Sequence, residues 1–272
     1  MKKNIKIVLL IITSILIVFF LLLQFKQPSN NRDWTIDATV LPEINIDGEN
    51  ISIKNIRNFT YRTTSDYTPG YYDRTFKLSQ IQNVWFMVEP FSKGGAAHTL
   101  LSFELNDGTY LAVSVEIRKE KGESFSALKG LMREYELVYV IADEKDVIKL
   151  RANYRKDKVY LYPGQTTPEK ARTLFMDMIT RANELQEKPE FYNTIVNTCT
   201  TNIVSHINAI TPNKIPLSWK VLLPAYSDEL AYKIGLLDNT ISFKELRKQH
   251  LINDLSEKYA NDPEYSKRIR GM

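Results

Sequence analysis

His98-Thr-Leu-Leu-Ser-Phe-Glu-Leu105, Asn106-Asp-Gly-Thr109 and Tyr110-Leu-Ala-Val-Ser-Val-Glu-Ile117 read together as a β-hairpin. Two runs rich in β-branched and aromatic residues flank an Asp-Gly turn signal. Loop length decides what faces what. A three-residue loop, Asn106 to Gly108, sets His98 opposite Glu116, whereas a two- or four-residue loop turns Glu116 to the other face. Outward from the hairpin, Leu137–Ile141 reads as a third strand and Lys158–Tyr162 as a fourth. Upstream, Ile44–Ile46, Ile51–Ile53, Asn58–Tyr61 and Val84–Val88 are extended runs broken by Asp47-Gly48 and Pro69-Gly70. Downstream the pattern turns helical. Thr167 caps and Pro168 opens an amphipathic run to about Glu187, which Pro189 ends. Another helix begins at Cys199 or Thr200, with Ile203, Val204, Ile207 and Ile210 on one face. Tyr226–Leu237 and Ser242–Tyr259 read as further helices. Strands first and helices second predict an α+β fold, an antiparallel sheet plus helices.

The N-terminus bears on location. From Ile7 to Leu23 there is no charge, and Thr13 and Ser14 are the only polar side chains. With Ile5 and Phe25 the run nears the ~20 residues of a transmembrane helix. Lys2, Lys3 and Lys6 precede it, and Lys26 and Arg32 follow more sparsely. That bias puts the N-terminus in the cytoplasm and the rest outside. The expected layout is an anchor over 1–26, a polar linker over 27–33 and an extracytoplasmic catalytic domain over 34–272. A cleavable signal peptide is the competing reading. Its apolar region would be unusually long, and no small-x-small site or lipobox cysteine follows Leu23.

With 43% hydrophobic and 11% aromatic residues, the chain can bury a large core. The net charge of +4 partly reflects the basic flank of the apolar segment. Elsewhere acids and bases interleave, so no nucleic-acid partner is expected. One cysteine excludes an intrachain disulfide framework. One Cys and three His, without H-x-x-x-H spacing, give no expected metal site, and no cofactor motif occurs.

The lone thiol is therefore the chemical clue. Cys199 sits in Phe191-Tyr-Asn-Thr-Ile-Val-Asn-Thr-Cys-Thr-Thr-Asn202, at the start of a predicted helix. A helix N-terminus favours thiolate, and its unpaired N–H groups can hold an oxyanion. A thiol needs a base, and histidine is the usual one. His206 lies on the same helix, about two turns and ~10 Å along the axis, too far for contact. His250 falls in a charged helical stretch and reads as solvated. His98 opens a strand after the flexible Ser92–Ala97 loop. Cysteine at a helix start and histidine at a strand start is the papain-type arrangement, here in inverted order, which points to a permuted version. Glu116 is the candidate orienting residue. Asn197, Thr200 and Arg118 are candidates for oxyanion binding and site shaping. A solvated strand end is the bland reading of Glu116 and Arg118. A helix cap with a small buried cysteine is that of Asn197 to Thr201.

Several segments resemble the Lnb N-terminal periplasmic domain family. They include Asn31–Trp34, Asn58–Tyr61, His98 running into Ser102–Gly108, Ser114–Glu123, Tyr135–Asp143, Val159–Pro163, Leu223–Tyr232 and, most strongly, Phe191–Asn202. The family often has Asn where this chain has Thr198. The resemblance implies a permuted papain-like, NlpC/P60-like thiol fold outside the cytoplasmic membrane, with Cys199 as nucleophile and His98 as base. Relatives named Lnb are lipoprotein N-acyltransferases. It implies membrane lipid as partner, with a phospholipid acyl donor and a lipoprotein acceptor.

Three functions are weighed: thiol-dependent acyl transfer, a cysteine hydrolase of the cell envelope, and a membrane-anchored binding module with a buried thiol. A transferase predicts an apolar acyl groove, and a peptidase an open polar cleft.

Overall fold

The computed structural model describes residues 2–272, without the side chains of residues 2–4, 8, 16, 19 and 20. Its strands are β1 (Glu43–Asp47), β2 (Asn50–Arg57), β3 (Thr60–Tyr61), β4 (Tyr67–Thr68), β5 (Tyr71–Lys77), β6 (Ile81–Pro90), β7 (Ala97–Leu105), β8 (Tyr110–Arg118), β9 (Glu136–Asp143) and β10 (Tyr160–Pro163). One eight-stranded sheet runs β1-β2-β9-β8-β7-β6-β10, with β5 also paired to β2, while β3 and β4 form a separate ladder.

The hairpin is as its three-residue alternative predicts. Leu105 N–H bonds Thr109 O at 2.8 Å, and Gly108 N–H bonds Leu105 O at 2.9 Å. Gly108 takes φ +80°, the left-handed residue such a loop needs. The ladder then pairs Glu104 with Tyr110 and Leu100 with Ser114.

Strand alternation splits the molecule into two layers. On one face Leu101, Phe103, Val113, Val115, Leu137 and Tyr139 form the main core with Phe175, Met178, Cys199 and Ile203. Its cover is the helix Pro168–Glu187, capped by Thr167 and opened by proline, and the helix Cys199–Ile210. The opposite face holds Leu100, Ala112, Val138 and Val140 against Val147, Ile148, Tyr265 and Ile269. There the helix Glu144–Lys149 continues as a π-helical stretch, Leu150–Arg155, ending at Lys156 with φ +61°. This second layer is rich in buried ion pairs: Arg57–Asp146 at 2.9 Å, Arg151–Glu89 at 2.7 Å and Arg270–Glu144 at 2.6 Å.

Four expectations are corrected. The sheet is mixed, because β2 meets β9 in parallel at Arg57↔Ala142. A bulge at Asn55, with φ +61° and its N–H on Asp73 Oδ1 at 3.1 Å, bends β2 toward that partner. Part of the expected membrane span falls on side chains outside the described residues. Among the described residues no helix is long and apolar enough to cross a membrane, and this overturns the transmembrane helix. The helix expected over 226–237 is only Ser227–Lys233, stopped before Gly235 at φ +75°. The helix expected over 242–259 splits into Phe243–Gln249 and Asn253–Lys258, because Leu251 bridges the backbone of Tyr160.

Residues 27–33, read as a linker, pack closely. Asn30 Nδ2 donates to Leu185 O and Gln186 O at 2.9 and 2.8 Å.

Candidate active site

The thiol turn is built from short polar side chains. Asn193 Oδ1 accepts from the N–H groups of Ile195 and Val196 at 2.9 and 3.1 Å, folding the loop back before the helix. Thr198 is the N-cap. Its hydroxyl accepts from Thr201 N–H at 3.2 Å, and Thr201 Oγ1 accepts from Thr198 N–H at 2.7 Å, a reciprocal capping box. Asn202 braces the turn from behind, donating to Asn197 Oδ1 and Thr198 O at 2.8 Å each. Cys199 is therefore the first helical residue, 8% exposed. Among the described residues, the N–H groups of Cys199 and Thr200 have no acceptor. Two free donors and the helix dipole converge there, as an oxyanion requires.

The candidate base, His98, lies on β7. His98 Nε2 is 2.7 Å from Ser114 Oγ, and Ser114 Oγ donates to Glu116 Oε1 at 2.8 Å. The direct His98–Glu116 separation is 3.8 Å. Arg151 Nη2 donates to the same Glu116 oxygen at 3.1 Å, while its Nε holds Glu89 at 2.7 Å. Burial, then the Arg151 charge, pushes the imidazole pKa down to about 3, so His98 is neutral near neutral pH. Burial alone would raise the Glu116 carboxyl. Arg151, then His98 and Arg57, overcome it and hold Glu116 well below the usual carboxylate range.

Cys199 and His98 come from opposite layers. Thr99 faces the thiol helix, its hydroxyl 3.0 Å from Thr200 Oγ1, so His98 turns toward the Arg151 layer. Ladder pairing of β7 with β8 begins only at Leu100↔Ser114. Beyond it, a cleft of about 410 Å³ is lined by Val115 and Glu116 together, neighbours that point to opposite faces, and by His98, Arg151, Tyr192 and Cys199. The cleft thus reaches both layers at the strand ends. No hydrogen bond joins His98 to Cys199. The partner of Sγ among the described residues is Thr200 Oγ1 at 3.8 Å. Among the described residues His98 Nδ1 has no hydrogen-bond partner.

Other expected residues are committed elsewhere. Arg118 bonds Ala38 O at 2.9 Å and Asn30 Oδ1 at 2.7 Å and stacks on Trp34, clamping the N-terminal segment. Asn197 gives its amide to Phe191 O at 2.9 Å, so it shapes the turn. Thr200 supplies its backbone N–H and ties the helix to β7. His206 is buried between Tyr139 Oη and Asp177 Oδ2, each at 2.6 Å. His250 is half-buried against the Tyr162 ring, with centroids 5.4 Å apart, and is not solvated. Among the described residues no cluster of His, Cys, Asp or Glu could hold a metal.

Residues 67–225, more than half of the chain, match the Lnb N-terminal periplasmic domain. The chain belongs to this family. The Lnb N-terminal match takes in His98, Glu116 and Cys199, and the family description indicates a periplasmic domain. No curated protein and no solved structure matches the chain.

Sequence reasoning missed Ser114, Arg151 and Tyr192. Ser114 was legible as the same-face neighbour of Glu116 two residues away. Arg151 had no local signal, since only the fold brings its helix over β8. Burial, then Cys199, raises the Tyr192 hydroxyl pKa, keeping it protonated beside the thiol.

Proposed function

We propose that this periplasmic domain performs thiol-dependent acyl transfer, of the kind carried out by lipoprotein N-acyltransferases. The observation that carries the reading is the opening of Cys199, with two unpaired N–H groups, into the cleft lined by a neutral histidine with an unoccupied nitrogen. When a bound ester closes the cleft, His98 takes the proton of Cys199. The thiolate adds to the carbonyl carbon, and the Cys199 and Thr200 amides hold the oxyanion. Collapse breaks the ester C–O bond, and the departing alkoxide takes the proton back from His98. The acyl group stays on sulfur. An amine then attacks the thioester, loses its proton to His98, and the thiolate regains it.

An apolar groove favours an acyl chain over a peptide. It is a separate pocket from the Cys199 cleft, lined from Thr200, the residue after the thiol, through Ile203, Val204, Ile207 and Ile210 to Ile215 and Leu237. Counted from Thr200 to Thr211, it runs roughly 16 Å along the helix at 1.5 Å per residue. Membrane lipid is the donor class this shape fits. The cysteine hydrolase is the second reading, favoured by the charged side chains in the wider cleft, which admit water as acceptor.

The test is intact mass of protein incubated with lipid, wild type beside Cys199→Ala and His98→Ala. A hydroxylamine-labile fatty-acyl adduct that needs both residues supports the proposal. An unmodified Cys199 that resists iodoacetamide until unfolding refutes any enzyme and leaves the binding module. Val204→Trp should block adducts from long-chain esters and spare short ones. Equal loss of both would remove the groove from the argument.

A further inference from the structure

We infer that Ser114 decides which nitrogen of His98 serves as the base, a positioning role that rests on the thiol-chemistry reading above. Ser114 is fully buried between the two groups it joins, on the same face of the hairpin. A hydroxyl carries one proton. Glu116 is ionised and can only accept, and Arg151 at 3.1 Å, itself fixed by Glu89, keeps it so. The Ser114 proton therefore goes to Glu116 Oε1 at 2.8 Å. Its oxygen, 2.7 Å from His98 Nε2, is left to accept. Nε2 must carry the hydrogen, and in a neutral imidazole the lone pair then belongs to Nδ1. That is the nitrogen without a protein partner. At 3.8 Å the carboxylate is too far to hold the ring directly. In the Ser-His-Asp arrangement a carboxylate fixes the tautomer by direct contact. Here a hydroxyl stands between, and Glu116 acts through it.

The charged groups facing the ring are few and fixed. Glu116 comes from β8, Glu89 from its register partner on β6, Arg151 and Arg155 from the π-helical stretch, and Arg57 from β2.

The experiment is long-range proton–nitrogen NMR of the full chain labelled with ¹⁵N-histidine, with His98→Ala assigning the signal. From pH 6 to 8, His98 should show a protonated Nε2 and a bare Nδ1. Ser114→Ala should admit the other tautomer and slow adduct formation at Cys199 on the order of tenfold to a hundredfold, as loss of an imidazole-orienting partner does. Ser114→Thr, which keeps the hydroxyl, should restore both, and thermal unfolding reports whether each variant is folded. A protonated Nδ1 in the wild type overturns the inference. So does a folded Ser114→Ala that changes neither tautomer nor rate. The wild-type spectrum stands without catalysis: the inferred tautomer with no adduct at Cys199 would keep the relay and remove acyl transfer.

Discussion

The two faces of the sheet solve different problems. The thiol face is packed with Phe103, Phe175, Met178 and Ile179. The other face buries the ion pairs Arg57–Asp146, Arg151–Glu89 and Arg270–Glu144. Buried pairs of this kind contribute little net stability over apolar packing, but losing one partner is costly. Of these groups Arg57, Arg151 and Glu89 stand beside His98 and Glu116 and set the charge around the imidazole. The apolar face supplies the thiol and an apolar groove, and the charged face supplies a fixed imidazole. They meet only where β7 and β8 part.

The largest effects should fall where the faces meet. Cys199→Ala should abolish the acyl adduct. His98→Ala should slow it by about 10²–10⁴, the usual worth of a positioned base. Single-turnover adduct formation measures both, and a smaller loss for His98 would mean the charged face is not the source of the base.

Next come paired changes within each face. Arg151→Met removes the cation that buried Glu89 and Glu116 share, leaving Glu89 only the longer contact to Arg155, and should cost about 3–5 kcal/mol. Phe175→Ala should cost a similar amount, about 3–5 kcal/mol, through a cavity. Urea unfolding at several pH values separates them. The unfolded chain takes up a proton at the ordinary histidine value of 6.5, whereas folded His98 resists until about 3. The His98 contribution is therefore complete above pH 6.5. It falls with pH toward 3, at about 1.4 kcal/mol per unit per proton. Glu116, whose pKa is lowered from 4.5 on folding, adds loss in the same direction at still lower pH. Arg151→Met should flatten this acid dependence, and Phe175→Ala should leave its slope unchanged. If both flatten it alike, the contrast between the faces is wrong. The smallest effect belongs to the thiol turn, where Thr198→Ala should cost about 1 kcal/mol of stability through the lost cap.

What the sequence made legible was local. The alternation in 98–117, the Thr167-Pro168 start and the helix start at Cys199 or Thr200 each depend on residues a few positions apart, and each element formed close to its expected bounds, although which of Asn197, Thr198, Thr200 and Thr201 caps that helix was left open. The pairing of His98 with Glu116 was legible too, conditional on loop length. The parallel contact of β2 with β9 was not, because it turns on one bulge at Asn55. Nor was the placement of Arg151, which depends on packing across the sheet. The three histidines were separable by their positions in the sequence. The structure adds that His206 is locked between Tyr139 and Asp177, whereas His98 is bonded through Nε2 to Ser114.

The turn at Asn106–Gly108 lies roughly 25 Å from His98 along β7, at about 3.4 Å per residue, and touches no reacting group. It nevertheless works as the reading frame of the site. Adding or deleting one residue there would shift β8 by a half-period, send Ser114 and Glu116 to the apolar side and bring Val115 beside the imidazole. Apart from Gly108, which the left-handed turn requires, the side chains of that surface loop take no part in the site. Its length does.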